Sequence, residues 1–292
     1  MSATALRLAT RGSPLARWQA EHVAALLQAV HPGLHVELVL VQTTGDARAE
    51  APISTLGGQG VFVKEVQQAV LDGRADLAVH SAKDLTSTTA AGLVLAAVPE
   101  RGDPCDALVG HRLDDLAQGA TVATGSPRRR HQLASLRPDL AFVELRGNIG
   151  TRLERVPEGG AIVMAAIALE RLQLAHHIAQ RLAPEEMVPQ VGQGALAVEC
   201  RAGDLRTFGL VTGIEHRPSR AAVDVERAFL AELGGGCDLP VGAYATWAGD
   251  DLVLQSFLAG PAGEWRGRRR GALEGATEMA REEARRAART AG

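Results

Sequence analysis

The segments Ala9-Thr10-Arg11-Gly12-Ser13-Pro14 and Ala123-Thr124-Gly125-Ser126-Pro127-Arg128 carry the same local instruction at two distant places in the chain. In each, an apolar strand runs into a Ser placed as helix N-cap and a Pro placed as first helical residue, where a missing backbone N–H costs nothing and the fixed φ already suits a helix. A strand-to-helix corner used twice predicts two related lobes. Free backbone N–H groups at a helix start favour an anion, and each start brings arginines: Arg11 and Arg17, or Arg128, Arg129 and Arg130. Ordinary capping beside a solvated arginine face accounts for either start alone. Two anion pockets facing each other across a cleft account for both.

Around these corners, short apolar runs alternate with helical periodicity. Residues 6–10, 35–41, 76–80 and 93–97 read as strands, with helices near 14–30 and 61–72. After the breaker stretch 99–104 a second set follows, with strands near 107–109, 121–124, 142–145 and 161–164. That alternation is the α/β pattern. From Glu215 the order changes to a long helix near 218–233, strands near 241–247, 252–258 and 265–270, and a last helix from about 276, a small α+β unit.

With 292 residues, 46% of them apolar, the chain has material for about two domains. Its longest run free of polar residues and Gly, Ala161 to Leu169, is half of the ~18 residues a membrane span needs, and Arg7 and Arg11 interrupt the place of a signal-peptide core. A cytoplasmic, non-membrane protein is expected. A net charge of -3 with 3% aromatic residues argues against a nucleic-acid platform. Any anion handling must therefore be local, and it falls to arginine, since Lys64 and Lys83 are the only lysines. Forked guanidinium groups suit carboxylates.

His80-Ser81-Ala82-Lys83-Asp84 follows a strand directly, where α/β folds place their site residues. A carboxylate at this place could stabilise a cationic intermediate or pass a proton; an exposed Lys83/Asp84 pair would do neither. Basic residues recur in Leu145-Arg146-Gly147-Asn148-Ile149-Gly150-Thr151-Arg152, and Val191-Gly192-Gln193-Gly194 offers a bend where backbone can approach a ligand. Together these describe an arginine-lined cleft for a small polycarboxylate. Of three cysteines, Cys105 and Cys200 read as packed residues, whereas Cys237 follows Gly234-Gly235-Gly236 on an accessible loop where a thiol could act as nucleophile or attachment point. His176 and His177 are adjacent and, on a helix, would not face together, so no metal is assigned.

Val79 through Asp84, Leu145 through Leu153, Val191 through Ala195 and Gly235-Gly236-Cys237-Asp238-Leu239-Pro240 stand in the order and spacing of porphobilinogen deaminases, and the chain resembles that family along nearly its whole length. The resemblance implies two periplasmic-binding-protein-like lobes with a cleft between them and a small C-terminal α+β domain: residues 1–98 with 195–213, residues 99–194, and residues 214–292. It implies head-to-tail condensation of four porphobilinogen molecules with loss of ammonia, then hydrolysis to hydroxymethylbilane for tetrapyrrole and haem biosynthesis. Growth occurs on a dipyrromethane cofactor held by a thioether, whose attachment residue matches Cys237. Asp84 matches the residue assisting ammonia loss, charge stabilisation on pyrrole nitrogen and proton removal. Arg11, Ser13, Gln19, Ser81, Lys83, Thr124, Ser126, Arg128, Arg129, Arg146, Arg152, Arg171 and Gln193 match positions that hold carboxylate side chains or line the cleft. Loss of Arg128 or Arg129 is expected to impair binding while leaving stability near wild type. A monomer is implied, with uroporphyrinogen III synthase receiving the product.

Some positions depart from the family pattern. Thr55 and Gln59, around the Gly57-Gly58-Gln59-Gly60 loop, stand where relatives often carry lysines; Thr86 replaces a frequent Pro, and Gly125 and Pro127 replace Ser and Leu. Two rivals use the same pockets without this chemistry: a two-lobed polycarboxylate-binding protein, which predicts export, and a DNA-binding regulator, which predicts a helix-turn-helix with a basic face. Neither needs a Gly-flanked thiol on an added domain.

Overall fold

The computed structural model describes residues 5–43, 63–235 and 239–292. The expectations attached to Thr55, Gln59 and the Gly57–Gly60 loop, and to Cys237, lie outside the described residues.

The chain opens with β1 (Ala5–Arg11), α1 (Pro14–Val30), β2 (His35–Val41), α2 (Lys64–Leu71), β3 (Leu77–Ser81) and β4 (Leu93–Ala97). It crosses into β5 (Asp106–Gly110), β6 (Thr121–Ala123), α3 (Pro127–Leu136), β7 (Ala141–Val143), α4 (Ile149–Leu153), β8 (Ala161–Ala165), α5 (Ala166–Arg171) and β9 (Ile178–Leu182). It then crosses back to β10 (Leu196–Arg201) and α6 (Leu205–Val211). The two five-stranded sheets have orders β2-β1-β3-β10-β4 and β7-β6-β8-β5-β9, so β1 and β6, the strands leading into the paired Ser-Pro starts, hold equivalent places. β1 is parallel to β2 and β3, as β6 is to β7 and β8. The fourth strand is antiparallel in both. That fourth strand is in each case the first strand after a crossing, so each lobe is completed only by chain arriving from the other. Where both faces of a strand are covered, the sequence is continuously apolar, as in β8, buried at all five positions.

The crossings run side by side, with the Gly102 N–H donating to Gly194 O at 3.2 Å. Gly194 has φ +88°, and a Cβ there would lie 2.6 Å from Gly102 O. Gly192, at φ +72°, would place a Cβ 2.9 Å from the Ala82 carbonyl carbon and 3.0 Å from Lys83 N. Only glycine lets this bend press against the short 3-10 turn Ala82–Asp84 that ends β3.

The C-terminal unit packs α7 (Arg217–Glu232) and α8 (Ala276–Ala291) on a three-stranded antiparallel sheet of β11 (Val241–Ala248), β12 (Asp251–Gly260) and β13 (Gly263–Ala272). Phe229, Leu252, Leu254, Ala280 and Ala284 form its core, while Phe257 and Ala259 of β12 meet Val188 of the second lobe. β12 is thus covered on both faces. Glu226 of α7, wholly buried, receives Arg101 Nη1 at 2.5 Å, Gly192 N at 2.7 Å and Ala245 N at 2.8 Å, tying this unit to both crossings.

Periodicity does not announce β9. The strand expected at 142–145 ends at Val143, because Gly147 turns at φ +109° and Asn148 Oδ1 caps α4 through Thr151 N. His176 and His177 lie in a 3-10 turn, and their rings meet at 4.2 Å, contrary to the expectation for an α-helix.

Candidate active site

The cleft lies beyond the carboxyl ends of the parallel strands. On the first lobe, an open pocket of about 420 Å³ is lined by Arg11, Ser13 and Gln19 from the β1/α1 corner, by His80, Ser81 and Asp84 from the end of β3, and by Val63 and Val66 at the start of α2. Ser13 caps α1 by accepting from Ala16 N at 3.3 Å, and Ser126 caps α3 by accepting from Arg129 N at 3.4 Å, so the two corners are built alike. Gln19 Nε2 donates to Ser81 Oγ at 2.8 Å, fixing one wall. Arg17 instead faces Glu21 at 3.9 Å on the outer surface, and Arg130 is exposed over the Phe142 ring at 5.9 Å. Neither belongs to the cleft, because each helix start can point only part of its first turn inward.

Below the second corner the sequence reading missed a residue that organises the rest. Asp106, the first residue of β5, is wholly buried; Arg128 Nη1 lies 2.7 Å from one carboxylate oxygen and Arg129 Nη2 2.7 Å from the other. Arg129 Nε, at 2.9 Å, and Gln193 Nε2, at 3.0 Å, also donate to Asp106. Burial alone would raise the Asp106 carboxyl, but the two guanidinium groups outweigh it and hold the group well below the ordinary carboxylate range. Arg128 further donates to Val188 O at 2.7 Å, and Arg129 to Val163 O at 3.1 Å. This corrects the expectation that either arginine could be lost without structural cost: both are buried and both partner a buried charge. An Asp opening an otherwise apolar strand was the one available signal.

Gln193 joins the lobes. Its Nε2 reaches Pro104 O at 2.7 Å, and its Oε1 accepts from Lys83 Nζ at 3.4 Å. Part of Lys83 faces the cleft, yet the protein packed around it, then the Arg129 charge, push its ammonium down to about 8, with Asp84 pulling the other way. Arg152 is lowered to about 10 by burial, then by Arg129 and Arg146, again opposed by Asp84. Asp84 therefore lies within electrostatic reach of a lysine on its own lobe and an arginine on the other. Arg152 is aimed by its Nε bond to Gly147 O at 2.8 Å, Arg146 by Glu144 at 2.7 Å, and Arg171 by its bond to Gly194 O at 2.8 Å. Thr124, buried, orients Ser126 N at 3.2 Å.

Several buried donors in this set have no partner: Arg128 Nε and Nη2, Arg146 Nε and Arg171 Nε. Unsatisfied buried guanidinium N–H groups are costly, and a group bearing several carboxylates answers that need. The thiols of Cys105 and Cys200 are poorly suited to attachment: burial, then a bond to Asp103, push Cys105 up to about 12, and burial, then Asp204, push Cys200 up to about 11.

The family model described as porphobilinogen deaminase, dipyromethane cofactor binding domain, matches residues 6–208, and the one described as porphobilinogen deaminase, C-terminal domain, matches residues 221–289. Among solved structures, the methionine binding protein MetQ aligns at 14% identity over 71% of this chain and 88% of its own, with a TM-score of 0.45. A TRAP periplasmic solute binding protein from Desulfovibrio salexigens aligns at 11% over 75% and 74%, TM-score 0.44. The reduced OxyR regulatory domain from Pseudomonas aeruginosa aligns at 14% over 73% and 97%, TM-score 0.36. The two-lobed architecture is read from the sheet orders, not from these likenesses.

Proposed function

Because this chain belongs to the porphobilinogen deaminase family along nearly its whole length, we propose a division of labour among its own residues for the family's reaction. The protein condenses four porphobilinogen molecules head to tail with loss of ammonia and releases hydroxymethylbilane by hydrolysis. The observation that carries the residue assignment is the set of buried, partnerless guanidinium N–H donors on three arginines of the second lobe, Arg128 on the Asp106 platform with Arg146 and Arg171. No helix among the described residues is long and apolar enough to cross a membrane.

When bound, the dipyrromethane cofactor supplies the pyrrole carbon on which the chain grows. Arg128, Arg129, Arg146 and Arg152, with Thr124, Ser126 and Gln193, hold its carboxylates and those of the added rings, and Arg171 and Lys83, at the lobe boundary, also meet the carboxylates of incoming porphobilinogen. Cys237 is the covalent anchor. Arg11, Ser13, Gln19 and Ser81 receive the carboxylates of incoming porphobilinogen at the first helix start, where backbone N–H groups and Arg11 favour an anion. Asp84 lines the same pocket. Its carboxylate stabilises positive charge on the pyrrole nitrogen as the C–N bond of the protonated aminomethyl side chain breaks and the amine leaves as ammonia, the methylene carbon staying to form the new carbon–carbon bond; it then takes the proton released from the ring carbon at which that bond forms. Such a role needs a fixed carboxylate beside substrate, and the Gly192 contact under Ala82–Asp84 supports that fixity. The protein acts as a cytoplasmic monomer and its unstable product passes to uroporphyrinogen III synthase.

The test is the intact mass of the purified protein together with porphobilinogen turnover. A covalent excess of two pyrrole units and ammonia release are expected; a bare polypeptide mass with reversible binding of porphobilinogen and no turnover would refute the reading.

A further inference from the structure

Arg171, on α5 of the second lobe, touches two other parts of the molecule. Its Nη2 donates to Gly194 O on the returning crossing at 2.8 Å, and its guanidinium carbon lies 5.3 Å from the ring centroid of Trp18 on α1 of the first lobe. Its Nε is buried without a partner. Trp18 is itself braced: His22, one helical turn on, stacks on it at 5.0 Å with the rings 10° from parallel. Burial, then the Arg171 charge, hold the His22 imidazole below its ordinary value, so the brace does not favour a second cation beside the first. The next residue along α1, Gln19, points elsewhere and fixes Ser81 at 2.8 Å. A single turn of α1 thus contacts both the wall of the Asp84 pocket and an arginine from the opposite lobe. In a chain with 3% aromatic residues, a half-buried tryptophan at that boundary has no part in either lobe's core clusters.

We propose that Trp18 is a positioning residue, whose ring holds the Arg171 guanidinium across the lobe boundary so that its Nε is presented to a pyrrole carboxylate. The inference rests on the porphobilinogen reading of the cleft. The ring face attracts the cation, and the bond to Gly194 O sets its plane; together they remove the freedom of a long side chain before ligand arrives. Without the ring, Arg171 keeps its charge and loses its direction, so binding weakens and the chemical step at Asp84 is spared.

Steady-state kinetics on the cofactor-loaded enzyme tests this. Trp18→Leu is expected to raise KM for porphobilinogen about tenfold, the size of a partly desolvated cation–π contact, with kcat changed less than about threefold. Trp18→Phe, which keeps a π face, should stay within about threefold of wild type. Because the ring acts through Arg171, Trp18→Leu in an Arg171→Gln background should add less than about twofold. Equal KM values for the Leu and Phe variants, or a full Trp18→Leu effect without Arg171, would overturn the proposal. Failure of the wild-type protein to consume porphobilinogen would instead overturn the reading beneath it.

Discussion

Replacing Arg129 by Leu tests whether the paired arginines are structural as well as ligand-binding. Arg129 is 8% exposed and Asp106 0%. The substitution removes the contacts at 2.7 and 2.9 Å to the carboxylate and the bond to Val163 O at 3.1 Å, leaving Asp106 with Arg128 and Gln193. Breaking a buried pair from one side costs ~3–5 kcal/mol, and the two surviving partners place the loss near the lower end, about 3 kcal/mol. For a chain of this size that is a fall in Tm of roughly 5 °C by calorimetry. The pH dependence sharpens the test. In the wild type the Asp106 carboxyl lies well below its unfolded value, so its stabilisation is present above the ordinary carboxylate range and is lost only as pH falls through the depressed folded value. In Arg129→Leu the carboxyl takes up its proton at a higher pH than in the wild type, so the deficit against wild type must shrink, and cannot grow, as pH falls through the range between the two folded values. Arg129→Lys should lose less, keeping charge but not the fork. A Leu variant with wild-type Tm, or a deficit that grows on acidification, would refute the platform described for Asp106.

Asp84→Asn should fold with near-wild-type Tm and turn over porphobilinogen at least ~100-fold more slowly, measured as ammonia release. Lys83, lowered to about 8, loses its charge as pH rises through that value, so KM for porphobilinogen should climb above pH 8 in the wild type and the climb should be absent in Lys83→Gln. Cys237→Ser should show the bare polypeptide mass, while Cys105→Ser and Cys200→Ser keep the covalent excess; peptide mapping that finds the adduct on Cys105 or Cys200 would overturn the anchor.

Local pattern was enough for much of this protein. The Ser13-Pro14 and Ser126-Pro127 starts were legible because capping depends only on a few consecutive residues, and α1 begins at Pro14 and α3 at Pro127 as those residues dictate. Strands such as Leu77–Ser81 and Ala161–Ala165 were legible because burial imposes an apolar run on any strand covered by helices. The basic character of the cleft was also visible, as arginines following strand ends. What the apolar pattern could not supply was which of those arginines turn inward: Arg17 and Arg130, each four residues after its cap, both face outward, whereas Arg129, three after its cap, meets a buried carboxylate. That choice belongs to tertiary structure. Asp106 meets Arg129 only when β5 enters the second sheet beside β8, Arg171 meets Trp18 only when the lobes close side by side, and β10 joins the first sheet only after the whole second lobe has been made. Each of these contacts joins residues distant in sequence, and a buried charge selects its partner by position in space, whereas the hydrophobic pattern records only which face of an element is covered.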